Sequence, residues 1–214
     1  MHLMSNQPQF FCVMKQLPNF TFTTQSDTSH FLTSQGVKDF YAAINFVRQR
    51  PTISDCSIRT LPQIVKEGGS RCAKTAVLAD LAHENFRHEI RLVLCTFTEK
   101  YESSPLVQEV LQKYELPALP IASCFIKYRQ EFYSPLDDIK PTLNVDSIQS
   151  DIEITPTQIG SFTERYCHHF IKHWLAIEKL HRSWTVDKIR RVKQECQHIL
   201  EKQAWLHTRT TFEE

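Results

Sequence analysis

An α+β fold is predicted by the order of hydrophobic patterns along the chain. Helical periodicity fills the region before residue 85, strand-like runs lie between residues 90 and 134, and helical periodicity returns from residue 155. Helices and strands are segregated rather than strictly alternating, which favours a central helix packed on an antiparallel sheet over a parallel α/β arrangement.

Taken in order, Val37, Phe40, Ala43 or Ile44, and Val47 recur at helical spacing after a turn at Gly36 and predict a helix over Ser34 to Arg50, which Pro51 ends. Thr52 to Thr60 is polar and irregular. Leu61 to Glu67 predicts a short helix stopped by Gly68 and Gly69. Ser70 then suits the cap of a long helix to about Asn85, with Ala73, Ala76, Val77, Leu78, Leu81 and Ala82 on its buried face. Ile90 to Phe97 predicts a strand buried on both faces, and Pro105 to Tyr114 a helix. After Pro117 and Pro120, Ile121 to Tyr128 predicts a strand with a hairpin partner over Gln130 to Ser134. Asp137 to Pro156, rich in Asp, Ser, Pro and Asn, suits a long surface loop. Pro156 to Leu180 and a segment capped by Thr185 or Asp187 and reaching Trp205 predict a closing helical hairpin.

A length of 214 residues suits one domain, expected over residues 14–207, with an N-terminal extension at 1–13 and a C-terminal tail at 208–214. The 25 basic and 24 acidic residues nearly cancel, so no overall field draws the chain to nucleic acid or to an acidic membrane. Its apolar runs fall far short of a membrane span, and Met1 to Met14 lacks the pattern of a secretory signal, so a cytoplasmic location without a membrane partner is expected. Seven cysteines, without CxxC pairs, suit reduced thiols better than a disulfide framework.

One cysteine stands apart by position. Cys72 falls in the first turn of the central helix, where unpaired backbone N–H groups and the positive end of the helix dipole favour thiolate over thiol. Arg71 and Lys74 would add to that effect if their side chains turned toward the sulfur. Such a cysteine is a candidate nucleophile.

Gly68 to Lys74, Gly-Gly-Ser-Arg-Cys-Ala-Lys, with the Ala/Leu-rich helix and the strand Ile90 to Phe97 that follow it, resembles the transglutaminase-like superfamily. The chain is similar in particular to small bacterial transglutaminase-like domain proteins. It shares Leu-Pro-Asn-Phe at Leu17 to Phe20, Phe-Val-Arg-Gln at Phe46 to Gln49, Gln-Ile-Gly at Gln158 to Gly160, and a closing helix pair that contains Phe170 to Leu175. The resemblance spans nearly the whole chain. It implies a papain-like core in which a helix-borne Cys is activated by a His on the next strand, itself oriented by an Asp or Asn on the strand after.

Mapped onto Ser123-Cys124-Phe125-Ile126-Lys127-Tyr128, the resemblance puts Ser123 at the expected His. Phe132-Tyr133-Ser134-Pro135 puts Ser134 at the expected Asp. A serine hydroxyl is no base near neutral pH and holds no permanent charge. No histidine lies between His88 and His168, so a shift of register does not supply one. The expectation is therefore a degenerate catalytic site, with Cys72 retained and its partners replaced, that binds a protein or peptide ligand without catalysis. The alternative is an active cysteine acyltransferase or amidohydrolase in which Cys72 uses a non-standard base or one supplied by a partner chain; side chains within hydrogen-bond reach of the sulfur, including Asp137 or Asp138 if either folds back toward it, bear on that reading.

A third reading, a redox or zinc-dependent regulator, rests on the cysteine count and on His168, His169 and His173, of which His169 and His173 stand four residues apart on one helix face. No acidic or Cys ligand recurs on that face with clear spacing, so no metal and no cofactor is expected. His83 lies more than about 15 Å along the helix axis from Cys72, and His88 lies beyond it. Lys188, Arg190, Arg191 and Lys193 suit a solvated helix face. Trp174, Trp184 and Trp205 suit packing of the closing helices.

Overall fold

Local chemistry sets most of the element boundaries. The computed structural model describes residues 17–23, 26–53, 60–102, 104–137 and 148–210, with side chains described to residue 200. The expected N-terminal extension, Cys12, Cys56, Asp138 and the Trp205 side chain lie outside the described residues. Helix α1 (Asp27–Ser34) is capped by Ser26, whose hydroxyl accepts from Ser29 N–H. Helix α2 (Phe40–Arg48) begins where the Asp39 carboxylate accepts from Ala42 N–H. The expected single helix from Ser34 is thus corrected: Ser34 closes α1, Gly36 turns the chain at φ +79°, and Asp39 starts a new helix.

Helix α3 (Leu61–Glu67) and α4 (Arg71–Glu84) match the pattern-based expectation closely. Gly68 ends α3 at φ +94°, where a Cβ would sit 2.2 Å from the Pro51 carbonyl oxygen. Only glycine fits there. Ser70 Oγ accepts from Ala73 N–H at 3.2 Å and starts α4 one residue before Arg71.

Strand β1 (Arg91–Glu99), helix α5 (Pro105–Lys113), β2 (Leu119–Tyr128), β3 (Glu131–Tyr133) and β4 (Ile148–Glu153) follow. The four strands form one antiparallel sheet in the order β3-β2-β1-β4. β2 and β3 pair with Tyr128 opposite Glu131, joined by Arg129 and Gln130, both at positive φ, as a two-residue hairpin turn requires. β4 corrects the expected loop over Asp137 to Pro156. Its polar sequence is held by pairing with β1, where Ile154 N–H donates to Leu92 C=O at 3.0 Å. The expected helix from Pro156 is likewise broken. A 3-10 turn over Pro156–Gln158 and Gly160 at φ +101° precede α6 (Ser161–Ile177). Helix α7 (Val186–Thr210) closes the described chain and takes in residues 208–210 of the expected tail.

The chain divides into two compact units. The first takes in residues up to Cys95 and Ser123–Glu164. Its core joins Leu32 of α1, Phe40, Ile44 and Val47 of α2, Ile64 and Val65 of α3, Val77, Leu78 and Leu81 of α4, and Ile126, Tyr128 and Tyr133 of the β2–β3 hairpin. Helices α2 and α3 and the 3-10 turn all pack on α4, which is central to this unit. The second unit takes in Thr96–Ala122 and the chain from Arg165. There α7 packs on α5, and Glu195 accepts from Lys113 Nζ at 3.1 Å and from Tyr114 OH at 2.9 Å. Trp174 is buried on α6, and Trp184 meets the Tyr114 ring edge-on at 6.0 Å between centroids. Among the described residues, no helix is long and apolar enough to cross a membrane.

Candidate functional site

The head of α4 presents Cys72 half-buried in the first helical turn, directly after the Ser70 cap. Its position is produced by the Gly68-Gly69 turn. Gly69 N–H donates to Pro51 C=O at 3.2 Å, and Ile53 N–H returns to Gly69 C=O at the same distance, which pins the entry of the helix to the end of α2. The sulfur meets β2. Its hydrogen-bonded neighbour there is Cys124, whose thiol is held protonated, well above the usual thiol range, by the hydrogen bond to Cys72 and by burial.

Strand alternation explains why this residue meets the helix. Cys124, Ile126 and Tyr128 share one face of β2, and Ile126 and Tyr128 belong to the same core as Val77 and Leu78 of α4. Ser123 falls on the opposite face with Phe125 and Lys127. On that face Lys127 Nζ bonds Asp151 Oδ2 at 2.7 Å and Arg91 pairs with Glu153 at 3.3 Å. Ser123, the residue at the expected His, therefore stands one step along the strand from the residue that meets Cys72. A single step along a strand turns the side chain through the sheet, and the position facing Cys72 carries a thiol.

Ser134 is buried just after β3. Its hydroxyl donates to Asp137 Oδ2 and accepts from Arg71 Nη2 at 3.5 Å. Asp137 also pairs with Arg71 through Oδ1, and its backbone carbonyl accepts from Arg48 Nη2. A carboxylate thus folds back to the Ser134 position from three residues downstream and engages the residue next to Cys72. The structure brings together Arg71, Ser134 and Asp137, and brings Cys72 to Cys124.

Lys74 plays a different part from the one its position suggests. Its ammonium is buried and donates to Arg50 C=O and to Thr52 Oγ1, the latter at 3.1 Å. Burial, with Arg71 and Arg50 nearby, lowers its pKa to about 8. Lys74 fastens α4 to the end of α2.

No family model, no curated protein and no solved structure matches the chain.

Elsewhere, His168 and His169 meet edge-on at 6.2 Å between ring centroids, and with His173 they lie exposed on α6. Among the described residues, no cluster of three His, Cys, Asp or Glu side chains could hold a metal ion. His83 and His88 meet edge-on at 4.7 Å between ring centroids, at the end of α4 remote from the sulfur. The basic run on α7 is tied down locally, Lys188 Nζ to Ser183 C=O at 3.1 Å and Arg190 to Asp187 at 3.9 Å.

Sequence reasoning missed Cys124. The signal was present as the two-residue spacing Cys124, Ile126, Tyr128, which marks one core-facing side of a strand and includes the sulfur.

Proposed function

We propose that this chain is a transglutaminase-like domain whose catalytic apparatus is degenerate, and that it binds a protein or peptide ligand at the surface beside Cys72 without turning it over. The observation that carries this reading is the Cys124 thiol at the strand position facing Cys72. Acyl transfer needs a group that takes the thiol proton and later protonates the departing amine, and an imidazole does both near neutral pH. A thiol kept protonated does neither. Loss of general acid–base catalysis removes about 10²–10⁴-fold in rate.

The test is incubation of the full chain with a glutamine-containing peptide and a fluorescent amine, alongside alkylation of Cys72 by iodoacetamide. The expected result is no amine incorporation and no amide hydrolysis, while peptides that bind slow the alkylation of Cys72. Turnover abolished by Cys72→Ala would overturn the reading.

A second reading, an active acyltransferase or amidohydrolase with a non-standard base, is favoured by one observation: Asp137 returns a carboxylate to the Ser134 position. In the same assay it requires turnover lost in both Cys72→Ala and Asp137→Asn.

A further inference from the structure

Of the described cysteines, Cys95 and Cys196 are buried, with thiols pushed up to about 12 and about 11 chiefly by burial. Such sulfurs behave as small apolar side chains. Cys72 differs in being half-buried at a helix N-terminus, so solvent reaches one side of it. It also differs in having a second thiol within hydrogen-bonding contact, on a strand 52 positions further along the chain. The two sulfurs sit on separate elements of one core: α4 and the β2–β3 hairpin share Val77, Leu78, Ile126 and Tyr128 in a single packed cluster. Their approach is therefore fixed by packing rather than by a flexible loop. A preformed thiol–thiol contact between rigid elements, with one member open to solvent and one shielded, is the arrangement of an attacking and a resolving cysteine.

We propose that Cys72 and Cys124 form an oxidation site, a dithiol that a small-molecule disulfide such as oxidised glutathione converts to an intramolecular disulfide joining the head of α4 to β2. In the first step Cys72 gives its proton to solvent and the thiolate attacks one sulfur of the oxidant. The oxidant's S–S bond breaks and one glutathione thiolate leaves, to be protonated. In the second step Cys124 loses its proton and attacks the Cys72 sulfur, which expels the second glutathione. Two protein thiols are oxidised by two electrons, and one oxidised glutathione becomes two reduced ones. Packing of α4 on the β2–β3 hairpin holds Cys124 beside the mixed disulfide, so the second step is intramolecular. Oxidation would consume the Cys72 thiol and fasten the surface beside it. This inference needs only the sulfur pair and does not rest on the transglutaminase-like reading.

The test uses the full reduced chain, incubated with oxidised glutathione under native conditions, blocked with an alkylating reagent and digested with trypsin. Cys72 then lies in peptide 72–74, Cys124 in 114–127 and Cys95 in 92–100. The expected product is a disulfide-linked pair of 72–74 with 114–127, reversed by dithiothreitol. In Cys124→Ser, confirmed folded by circular dichroism, glutathione stays on Cys72, about tenfold or more above its level in the parent chain. The parent chain's peptide map decides the matter even if that variant does not fold. The proposal is overturned if glutathione remains on Cys72 of the parent chain without a link to 114–127. It is equally overturned if the link goes to 92–100, or forms only in denaturant. None of these outcomes bears on amine incorporation, so failure here is distinct from failure of the proposed function.

Discussion

The two ends of α4 are both polar, yet they are built on opposite plans. At its C-terminal end, Asn85 is buried, and its Oδ1 accepts from Thr23 N–H at 2.7 Å while its Nδ2 donates to Leu81 C=O at 2.7 Å. Beside it, Glu84 accepts from Ser26 Oγ at 2.6 Å, so side chains of α4 hold the start of α1. At the N-terminal end, a backbone turn shares the work with two side chains: the Gly68-Gly69 turn against Pro51 and the Ser70 cap aim the helix, and buried Lys74 fastens it to the end of α2. The side chains beyond them, Arg71 and Cys72, stay partly open to solvent. Side chains used as bolts cannot also be offered to a ligand or an oxidant. The contrast teaches where to look for chemistry on this helix, since the end held by the turn, the cap and Lys74 leaves Cys72 partly open to solvent.

The sharpest way to break this contrast is Gly68→Ala. The added carbon would meet the Pro51 oxygen, and the positive φ strains any other residue, so a loss of about 3 kcal/mol or more is expected in equilibrium urea unfolding. A near-neutral result would show that the head of α4 is not held by this turn. Next in size is Asn85→Ala at the other end. It leaves the Thr23 amide without its acceptor and should cost about 2–3 kcal/mol by the same measurement.

Asp80, on the last turns of α4, sharpens the picture through pH. Burial, then the neighbouring Glu84 charge, raises its carboxyl pKa to about 6. Between about pH 4 and that value the folded chain keeps a proton that the unfolded chain has released, so the group loses stability as pH rises through the window. Asp80→Asn should therefore raise stability by about 1 kcal/mol or more at neutral pH, and the gain should vanish below about pH 4. A gain that persists in acid would assign it to something other than the carboxylate. The smallest effect is expected at the head. Arg71 and Asp137 have side chains 47% and 25% exposed, so Asp137→Asn, which keeps an oxygen for Ser134, should change stability by no more than about 1 kcal/mol.

The parts of the fold that could be read from the chain are those with local chemistry. Leu61 to Glu67, its two glycines, the Ser70 cap and the apolar face of α4 are all contiguous, and each signal acts within a few residues. Elements without such signals escaped. Helix α1 has a polar sequence, Asp-Thr-Ser-His-Phe-Leu-Thr-Ser, whose buried residues include Thr28 and Ser29, so hydrophobic periodicity does not reveal it. β4 reads as loop because Ile-Gln-Ser-Asp-Ile-Glu becomes a strand through its pairing with β1. The closing helices were legible as helices, but α5 as the packing partner of α7 was not, because helix partners are chosen by contacts remote in sequence.

Within the site, local sequence was enough to place Cys72 at the head of a capped helix, because capping and turn chemistry act over a handful of neighbouring residues. Which residue faces that sulfur was settled by folding alone. A strand has a period of two, so neighbours as alike in sequence position as Ser123 and Cys124 end on opposite sides of a sheet, and only packing against α4 selects between them.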